Sequence, residues 1–557
     1  MMTDGRGQAA MVCTAVPTTV LPYHPGFDLA NLASPVYYSA IKGICCLPME
    51  FPSAPNRLGR LPDRPGQPGH TLPFRAETGG TRMASSENEV LNRRGPDLSG
   101  KILTLGELVA MAEEEGMPLS RLVVVEAMAR EEKGFNEILS QAMGQFQHNL
   151  RATEIGLTWG KSFLLGSVGS DLARQGEKVL TDDLFIDRAL VYTLATEVGN
   201  HEVGLRPCAG TGDSCPYSGL IKALMGASYS EEQVALAAAL ILKVGSIFRA
   251  GKRTTGCNME GYGAGAAATA AALTDLRGGS ARQVANAIVL ALSPTIAVPC
   301  TPRVMVSGLC ATHIGAAILV GNLASKLVLK SSLPVEVDVD VMLAMAARVH
   351  VEAASVVTSL NLEYLGPYFR KKPQIESFVD EEVRKSEQEQ SERIVQQARE
   401  EVRALLTASR PLTQLLGDVV IGGSSIAVGS PTNMARICHA MVSGRIQKIE
   451  VELTSDLFAR RAINMPAILM AAIYGARTDD METYRRLFEL PEIKGIQVKV
   501  SRVDIPEVQR IRIHASERCA MVDARNRGGG RVALVAAEPS LEEAIAAAGR
   551  LGIQIVD

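Results

Sequence analysis

Aromatic residues and clusters of positive charge are scarce in this sequence. Phe, Trp and Tyr make up 4% of the 557 residues, and a single Trp is present. The formal net charge is −3, and no long basic run occurs. Surfaces that bind nucleic acids need clustered basic residues, and those that bind single strands also need aromatic side chains for base stacking. The composition therefore excludes the common nucleic-acid-binding classes.

Cysteine and uninterrupted apolar runs are scarce as well. Ten cysteines in a chain of this length are too few for the disulfide framework of a small secreted protein. The N-terminal residues lack the basic segment and apolar core of a signal peptide. The most apolar stretch, residues 304–329, is interrupted by Ser, His, Asn and Lys, which favours a buried helix over a membrane span. We therefore expect a cytoplasmic protein without a membrane partner, whose cysteines are thiols or metal ligands.

Residues 1–98 differ in composition from the rest of the chain. Eleven of the 27 prolines lie before residue 74, among Gly, Arg and isolated apolar residues without periodicity. Such a segment rarely builds a core. It is interpreted either as a disordered extension or as a gene start placed too early, with Met83 as the true first residue. No chemistry is assigned to it, and removing residues 1–82 is expected to leave stability and activity nearly unchanged.

From Thr104 to about residue 370 the sequence has the pattern of packed helices. It is rich in Ala, with apolar residues at three- and four-residue intervals, and Thr104 with Glu107 forms a capping-box pattern at its start. Residues 378–402 are then almost all Asp, Glu, Lys, Arg and Gln. Such a charge run is typical of a solvated helix that joins two domains.

Beyond residue 412 the periodicity becomes that of strands. Apolar and polar residues alternate in Ile446–Leu453, Ile496–Val503 and Arg510–His514, and Ser540 with Glu543 caps a last helix. The predicted fold class is therefore multi-domain, a mainly α-helical domain followed by a smaller α+β domain. The predicted divisions are an extension at 1–98, a helical catalytic domain at 99–372, a charged helical linker at 373–411 and an α+β domain at 412–557.

Three cysteines stand out because each lies in a Gly- or Pro-interrupted break between apolar helices. They are Cys257, Cys300 and Cys310. Thiolate ligands of an iron–sulfur cluster need a backbone that can wrap the cluster, which such breaks allow. Three ligands would leave one iron of a 4Fe-4S cluster open, and an open iron can polarise a substrate hydroxyl or carboxylate. No CxxC pair is present, so the alternative is that the three are small buried apolar residues.

Four segments of the helical part also resemble a known family. They are Leu105-Gly106-Glu107-Leu108; Asn200-His201-Glu202 before the loop Ala209-Gly210-Thr211-Gly212-Asp213-Ser214; Gly256-Cys257-Asn258-Met259-Glu260; and Cys300-Thr301-Pro302 with Cys310 ten residues later. In this order they resemble the alpha chain of the iron–sulfur-dependent L-serine dehydratases (L-serine ammonia-lyases). The resemblance implies a 4Fe-4S cluster on the three cysteines and β-elimination of L-serine to pyruvate and ammonia.

The same segments hold the candidate catalytic and substrate-binding residues. His201 and Glu260 are the candidates for the general base that removes the α-proton, since His titrates near neutral pH and Glu260 is close in sequence to Cys257. The hydroxyls of Thr211, Ser214 and Ser218 are expected on a flexible Gly-rich loop. They are suited to hold the carboxylate of an amino acid.

The C-terminal domain resembles the beta chain of the same enzymes. Ile421-Gly422-Gly423-Ser424-Ser425 is similar to that chain's Gly-Pro-Ser-Ser-Ser-His-Thr loop, so Ser424 and Ser425 are further candidates for substrate binding. The family's His-Thr is replaced by Ile426-Ala427, and its His-Gly-Thr-Asp by Ile463-Asn464-Met465-Pro466. These apolar replacements predict weak serine binding and better turnover of another β-substituted amino or hydroxy acid.

Two alternatives to serine dehydration stay open. One is elimination of sulfide from L-cysteine, as in cysteine desulfidases with related alpha domains. The other is a catalytically silent paralogue that binds an amino acid or a partner chain. A homodimer is also left open.

Other candidate residues are interpreted as structural. Cys208 and Cys215 are expected to be ordinary loop residues, and His313 is expected to be a core histidine. The remaining ones, Cys438, His439, His514 and Cys519, are spread over strand-like sequence without ligand spacing.

Overall fold

Helices make up most of the described chain, and a mixed β-sheet lies near its C-terminal end. The structure is a computed structural model that describes residues 98, 102–206, 214–251, 260–296, 308–408, 413, 418–422, 425–503 and 507–557. Its order of elements is a helical part followed by an α+β part. The predicted fold class is confirmed at this level.

The helical part is an array of α-helices, with a π-helical turn at Glu260–Ala264. Its helices are α1 (Leu105–Glu114), α2 (Leu119–Glu131), α3 (Phe135–Thr158), α4 (Val168–Gln175), α5 (Leu184–Val203), α6 (Ser214–Met225), α7 (Glu231–Gly251), α8 (Gly265–Leu276), α9 (Ala281–Leu292), α10 (Leu309–Lys330) and α11 (Val339–Leu365).

The start of this part follows the sequence pattern. The Thr104 hydroxyl accepts from the Glu107 backbone N–H, and the Glu107 carboxylate accepts from the Thr104 N–H, so the predicted capping box is present. Leu98, which the sequence placed at the end of the extension, is 1% exposed and packs in the main helical core. The ordered helical part therefore includes a residue that composition alone assigned to the extension.

The scarcity of aromatic residues is explained by how the central helices pack. α8 is buried from Gly265 to Thr274 and packs against α7, α9 and α10. Most of its side chains are alanines, which let neighbouring helices approach closely. The chain fills this core with small side chains and short interhelical distances rather than with large rings.

Two glycines set the crossing of α3 and α5. A Cβ placed on Gly156 would lie 1.8 Å from the carbonyl oxygen of Ala195, and one on Gly199 would lie 2.0 Å from that of Ala152. The two helices therefore touch backbone to backbone at both points. This contact fixes the position of the C-terminal half of α5.

One straight helix of the described residues, α10, is long and apolar enough to cross a membrane. It packs against α5, α8 and α9 within the helical part, and its buried residues include Ile314, Ala317 and Ile318. A core helix of a helical bundle passes the same length and composition test. α10 thus has the contacts of the buried helix expected from residues 304–329.

A buried ion pair links α2 and α7. The Lys243 ammonium lies 2.7 and 2.6 Å from the two carboxylate oxygens of Glu126. Both side chains are largely buried, Glu126 at 4% and Lys243 at 13% exposure. Arg130, half exposed, lies 3.6 Å from the same carboxylate.

Lys243→Met is expected to destabilise the protein by about 3 kcal/mol at neutral pH, because it leaves the buried Glu126 carboxylate with the half-exposed Arg130 as its ionic partner. Urea unfolding monitored by circular dichroism measures the loss. The double variant Glu126→Leu/Lys243→Met should recover most of it, since no unpaired charge remains. A single variant within about 0.5 kcal/mol of the wild type, the usual range for surface substitutions, would contradict this expectation.

A charged helix follows the helical part, as predicted. After the short α12 (Pro373–Glu376), α13 runs over Glu381–Ala408. All its described residues are exposed or half-exposed. The charge run at 378–402 therefore has the solvated helical structure that its composition indicated.

The α+β part combines five strands with helices that pack against them. Its elements are α14 (Ser425–Met441), β1 (Ile446–Leu453), α15 (Ser455–Ala459), α16 (Arg461–Tyr474), α17 (Met481–Arg486), β2 (Gln497–Arg502), β3 (Val508–Ala515), β4 (Ala520–Asn526), β5 (Val532–Glu538) and α18 (Leu541–Arg550).

The sheet has the strand order β2-β1-β3-β4-β5. β1 pairs in parallel with β2, with Val451 opposite Val500, and the other neighbours are antiparallel. The buried face of β1 packs into the core of this part, where α14 lies against β3 and β4 and α18 lies against β5. All three predicted strands and the Ser540 cap of the last helix are confirmed.

The sequence did not predict β4 and β5. Five consecutive residues of β4, Ala520–Ala524, are buried, so the strand does not alternate between apolar and polar residues. Strands buried on both sides have near-continuous apolar sequences that periodicity cannot separate from helices.

Candidate functional site

A carboxylate, two thiols, an imidazole and a hydroxyl meet where α5 ends and where α6 and α10 begin. Glu197 and His201 are four residues apart in α5 and share a helical face. Cys215 and Cys310 are the second residues of α6 and α10. Ser162 lies in the connection between α3 and α4. We call these five residues the carboxylate–thiol site.

Glu197 is the centre of this site. The Cys215 thiol donates to its Oε2 at 2.7 Å, and the Cys310 Sγ lies 3.9 Å from its Oε1. His201 Nε2 lies 3.4 Å from Oε1, and Asn200 Nδ2 donates to Oε2 at 3.1 Å. Glu197 is only 8% exposed. One buried carboxylate therefore joins residues of three helices.

Two opposed effects decide the protonation state of Glu197. Burial raises the pKa of this carboxyl, because the charged form loses its hydration. Hydrogen bonds with His201, Cys215 and Asn200, together with attraction to the His201 ring, lower it, and the net result is a pKa below the ordinary value for Glu. Glu197 is thus a buried carboxylate at neutral pH.

Ser162 determines which nitrogen of His201 carries the proton. The backbone N–H groups of Leu164 and Leu165 donate to the Ser162 Oγ at 3.0 and 2.9 Å. With both acceptor positions of Oγ used, its own proton points to His201 Nδ1, 2.5 Å away. The neutral ring then carries its proton on Nε2, which faces Glu197. Ser162 and Glu197 therefore hold the two ring nitrogens of His201.

The thiols of the site lie in an apolar environment. Cys215 is 1% and Cys310 3% exposed, and both pack with Leu194 and Ile314. A low-dielectric environment strengthens electrostatic interactions with any group that enters it. The site therefore combines soft sulfur donors with one anionic oxygen donor in a dry region.

Helix starts converge beside these thiols. A Cβ on Gly265, the first residue of α8, would lie 3.0 Å from side-chain atoms of both Pro216 in α6 and Ala317 in α10. The Tyr262 ring of the π-helical turn meets the His313 ring edge-on, with 5.3 Å between centroids. The first turns of α6 and α8 thus meet the N-terminal half of α10.

Two of the residues predicted from sequence are brought together here. Cys310, a predicted cluster ligand, and His201, a predicted base, both contact Glu197. Cys310 is a buried thiol in the first turn of α10. Of the three predicted cluster ligands, Cys310 is the one that lies among the described residues.

Several predicted residues lie outside the described part of the chain. These are Thr211, Cys257, Cys300 and Ser424, and the same is true of the side chains of Glu260 and Ser425. The backbone of Glu260 begins the π-helical turn, and that of Ser425 begins α14.

The expectation of a flexible loop was wrong for Ser214, Cys215 and Ser218. All three lie in α6 and are buried. The Ser214 hydroxyl donates to the Arg206 carbonyl at 3.4 Å, and the Ser218 hydroxyl donates to the Ser214 carbonyl at 2.5 Å. Pro216 is tolerated because it occupies the first turn of the helix, where its missing N–H costs nothing. The two serines therefore have backbone partners within the protein.

In the C-terminal part, the apolar replacements Ile426 and Met465 were expected to weaken the binding of serine. Met465 packs against the core of this part, and Asn464 is buried with its Nδ2 donating to the Leu457 carbonyl at 2.7 Å. The side chain of Ile426 lies outside the described residues. The argument for altered substrate preference therefore loses the support of Met465.

The remaining histidines and cysteines of this part have structural contacts. His439 Nδ1 lies 2.9 Å from the Ala472 carbonyl oxygen. Glu450 accepts from Lys448 and lies 2.8 Å from His514 Nε2, and the hydrogen bonds with these two side chains hold the pKa of Glu450 at about 2. Burial raises the pKa of the Cys438 thiol to about 12, so it is unreactive at neutral pH.

Sequence reasoning missed the residue at the centre of the site. Glu197 precedes His201 by four residues, and a Glu-x-x-x-His spacing in a predicted helix places a carboxylate beside an imidazole. That spacing was a usable signal. Nothing in the sequence indicated that Cys215 and Cys310 would reach the same carboxylate.

Comparisons with known proteins add no family assignment. No protein-family model matches the chain, and no curated protein is significantly similar to it. Among the residues that the structure describes, no group of three or more His, Cys, Asp or Glu is arranged to hold a metal ion.

Proposed function

We propose that the chain is an iron–sulfur-dependent β-eliminating lyase that acts on a small hydroxy amino acid, with L-serine as the substrate by resemblance. The observation that carries this proposal is the buried carboxylate of Glu197 in contact with the Cys310 thiol. A proton acceptor next to a cluster ligand is what elimination of water from serine requires, because one proton must leave the α-carbon as the β-hydroxyl departs.

The metal ligands in this proposal are Cys257, Cys300 and Cys310. Cys257 lies five residues before Tyr262 in the sequence, and the Tyr262 ring contacts the His313 ring of α10. A 4Fe-4S cluster, when bound, supplies a Lewis acid for the substrate's hydroxyl and carboxylate. The proposal implies a cytoplasmic location, because cysteine ligands stay reduced in a reducing compartment.

Three residues of the chain have separate roles in the elimination. Glu197 accepts the α-proton, because it is ionised and largely shielded from water. His201 donates a hydrogen bond from Nε2 to Glu197 and thereby orients the carboxylate. Ser162 fixes the tautomer of His201. The β-hydroxyl leaves as hydroxide and takes up the α-proton from Glu197 to form water, and the resulting aminoacrylate hydrolyses to pyruvate and ammonia. Glu260 stays a second candidate for the base.

Anaerobic preparation tests the proposal directly. The full chain, reconstituted with iron and sulfide, is expected to be brown with about four irons per chain and to release pyruvate and ammonia from L-serine. Cys257→Ser, Cys300→Ser and Cys310→Ser should each remove the colour. Assays on L-threonine and L-cysteine separate the alternatives, because sulfide release from cysteine identifies a desulfidase. Colourless, iron-free protein after reconstitution would contradict the cluster assignment.

A further inference from the structure

α11 is an apolar helix that is largely uncovered. Its first residues pack into the helical core, where Val339, Met342 and Leu343 are buried. After Ala346, no described side chain of this helix is buried. Single exposed apolar side chains are ordinary, but a long row of them on one helix marks an interaction surface.

Four of the exposed apolar residues of α11 are arranged symmetrically along the helix, whereas Val351 and Leu362 lie on another side of it. Val341 and Met345 are 59% and 44% exposed, and Val356 and Leu360 are 62% and 50% exposed. Each pair is separated by one helical turn, and the inner residues of the pairs are separated by three turns. Because these spacings are close to whole turns, all four residues lie on roughly one face of the helix. The order of spacings is also the same from either end. We call these four residues the α11 face.

A symmetric row of this kind fits a second copy of the same helix. In an isologous dimer, residue i contacts residue j of the other copy and j contacts i. Antiparallel pairing of two α11 helices in one register places Val341 opposite Leu360 and Met345 opposite Val356. That single register covers all four residues of the α11 face in both copies.

Charge at the centre of the face supports the same register. Arg348 and Glu352 are exposed, are four residues apart and lie between the two apolar pairs. In the antiparallel arrangement, Arg348 of one copy comes beside Glu352 of the other, and the symmetry repeats this pair. Opposite charges at these positions favour the register, whereas two ionised side chains in the middle of the face oppose burial in a lipid bilayer.

The bend of the helix is compatible with this pairing. Its two halves, Val339–Ala353 and Ser355–Tyr368, meet at an angle of 50°, and each half carries one apolar pair. Consider two bent helices that are related by a two-fold axis parallel to the bisector of the bend. The first half of each helix then stacks on the second half of the other. The stacked halves run antiparallel, as the register requires.

We propose that the chain forms a homodimer through the α11 face, with two α11 helices packed antiparallel. This proposal is independent of the proposed lyase activity. The partner is a second copy of the same chain, and Arg348 and Glu352 set the register.

Sedimentation velocity of the full chain at several concentrations tests the proposal, with Leu360→Glu and Leu362→Glu as a matched pair. Both leucines are about half exposed on the same helix, at 50% and 44%, but Leu362 points away from the α11 face. The wild type is expected to be a dimer. Leu360→Glu should raise the dissociation constant about 100-fold or more, because the substitution acts twice in the dimer. Leu362→Glu should leave it unchanged.

A charge exchange distinguishes the specific pairing from misfolding. Arg348→Glu and Glu352→Arg should each weaken the dimer, and the double variant should restore it, with circular dichroism reporting the fold of each. A monomeric wild type would overturn the proposal, as would equal effects of the two leucine variants. Monomeric chain that floats with anionic phospholipid vesicles would overturn it in favour of a membrane as the partner.

Discussion

Glu197→Gln is expected to lower kcat for the elimination by about 100- to 10,000-fold, the usual contribution of a general base. Glutamine keeps the shape of the side chain and an oxygen that can accept from His201 and Cys215, but it cannot take up the α-proton. The iron content and the visible spectrum of the reconstituted protein should stay unchanged. Single-turnover release of pyruvate from L-serine measures the effect.

Glu202→Gln is the matched control for this prediction. Glu202 lies on the same helix, is exposed, and accepts a hydrogen bond from the Lys161 backbone N–H at 2.8 Å. Its substitution by glutamine should leave kcat within a factor of about two, as for other surface changes. An iron-loaded Glu197→Gln protein with wild-type turnover would contradict the assignment of the base and leave Glu260 as the candidate.

The second large effect is expected from one substitution made at two glycines of α3. Gly156→Ala should destabilise the protein by about 3 kcal/mol, since its Cβ would collide with the Ala195 carbonyl and force α3 and α5 apart. Gly144→Ala, on the exposed side of the same helix with nothing within 4 Å, should stabilise it by about 0.5–1 kcal/mol, because alanine loses less entropy in a helix.

Urea unfolding of both variants measures these opposite effects through the midpoint at constant m-value. Gly156→Ala should also reduce lyase activity, because Ala195 is two residues from Glu197 in α5 and a shift of this helix moves the carboxylate away from Cys310. Equal stability of the two variants would show that α3 and α5 separate more easily than their backbone contact indicates.

The sequence alone determined the local structure and the order of the two parts. Thr104 with Glu107, and Ser540 with Glu543, signal helix starts through side chains that bind backbone N–H groups a few residues away. The alternation in Ile446–Leu453 signals a strand that is buried on one face. These signals are readable because the interactions that produce them are local. Where burial is two-sided, as in Ala520–Ala524, the same reasoning had no pattern to use.

The site itself was decided by tertiary structure. Glu197 meets Cys215 across 18 positions and Cys310 across 113 positions of the chain, and no local pattern encodes either contact. Ser214 and Ser218 were expected on a loop because the segment around them is Gly-rich, but packing of α6 against its neighbours extended the helix over both. The approach of α3 to α5 at Gly156 and Gly199 positions the half of α5 that carries Glu197. The sequence supplied the carboxylate, the imidazole and the thiols, and only the close packing of small residues between helices brought them within hydrogen-bonding distance.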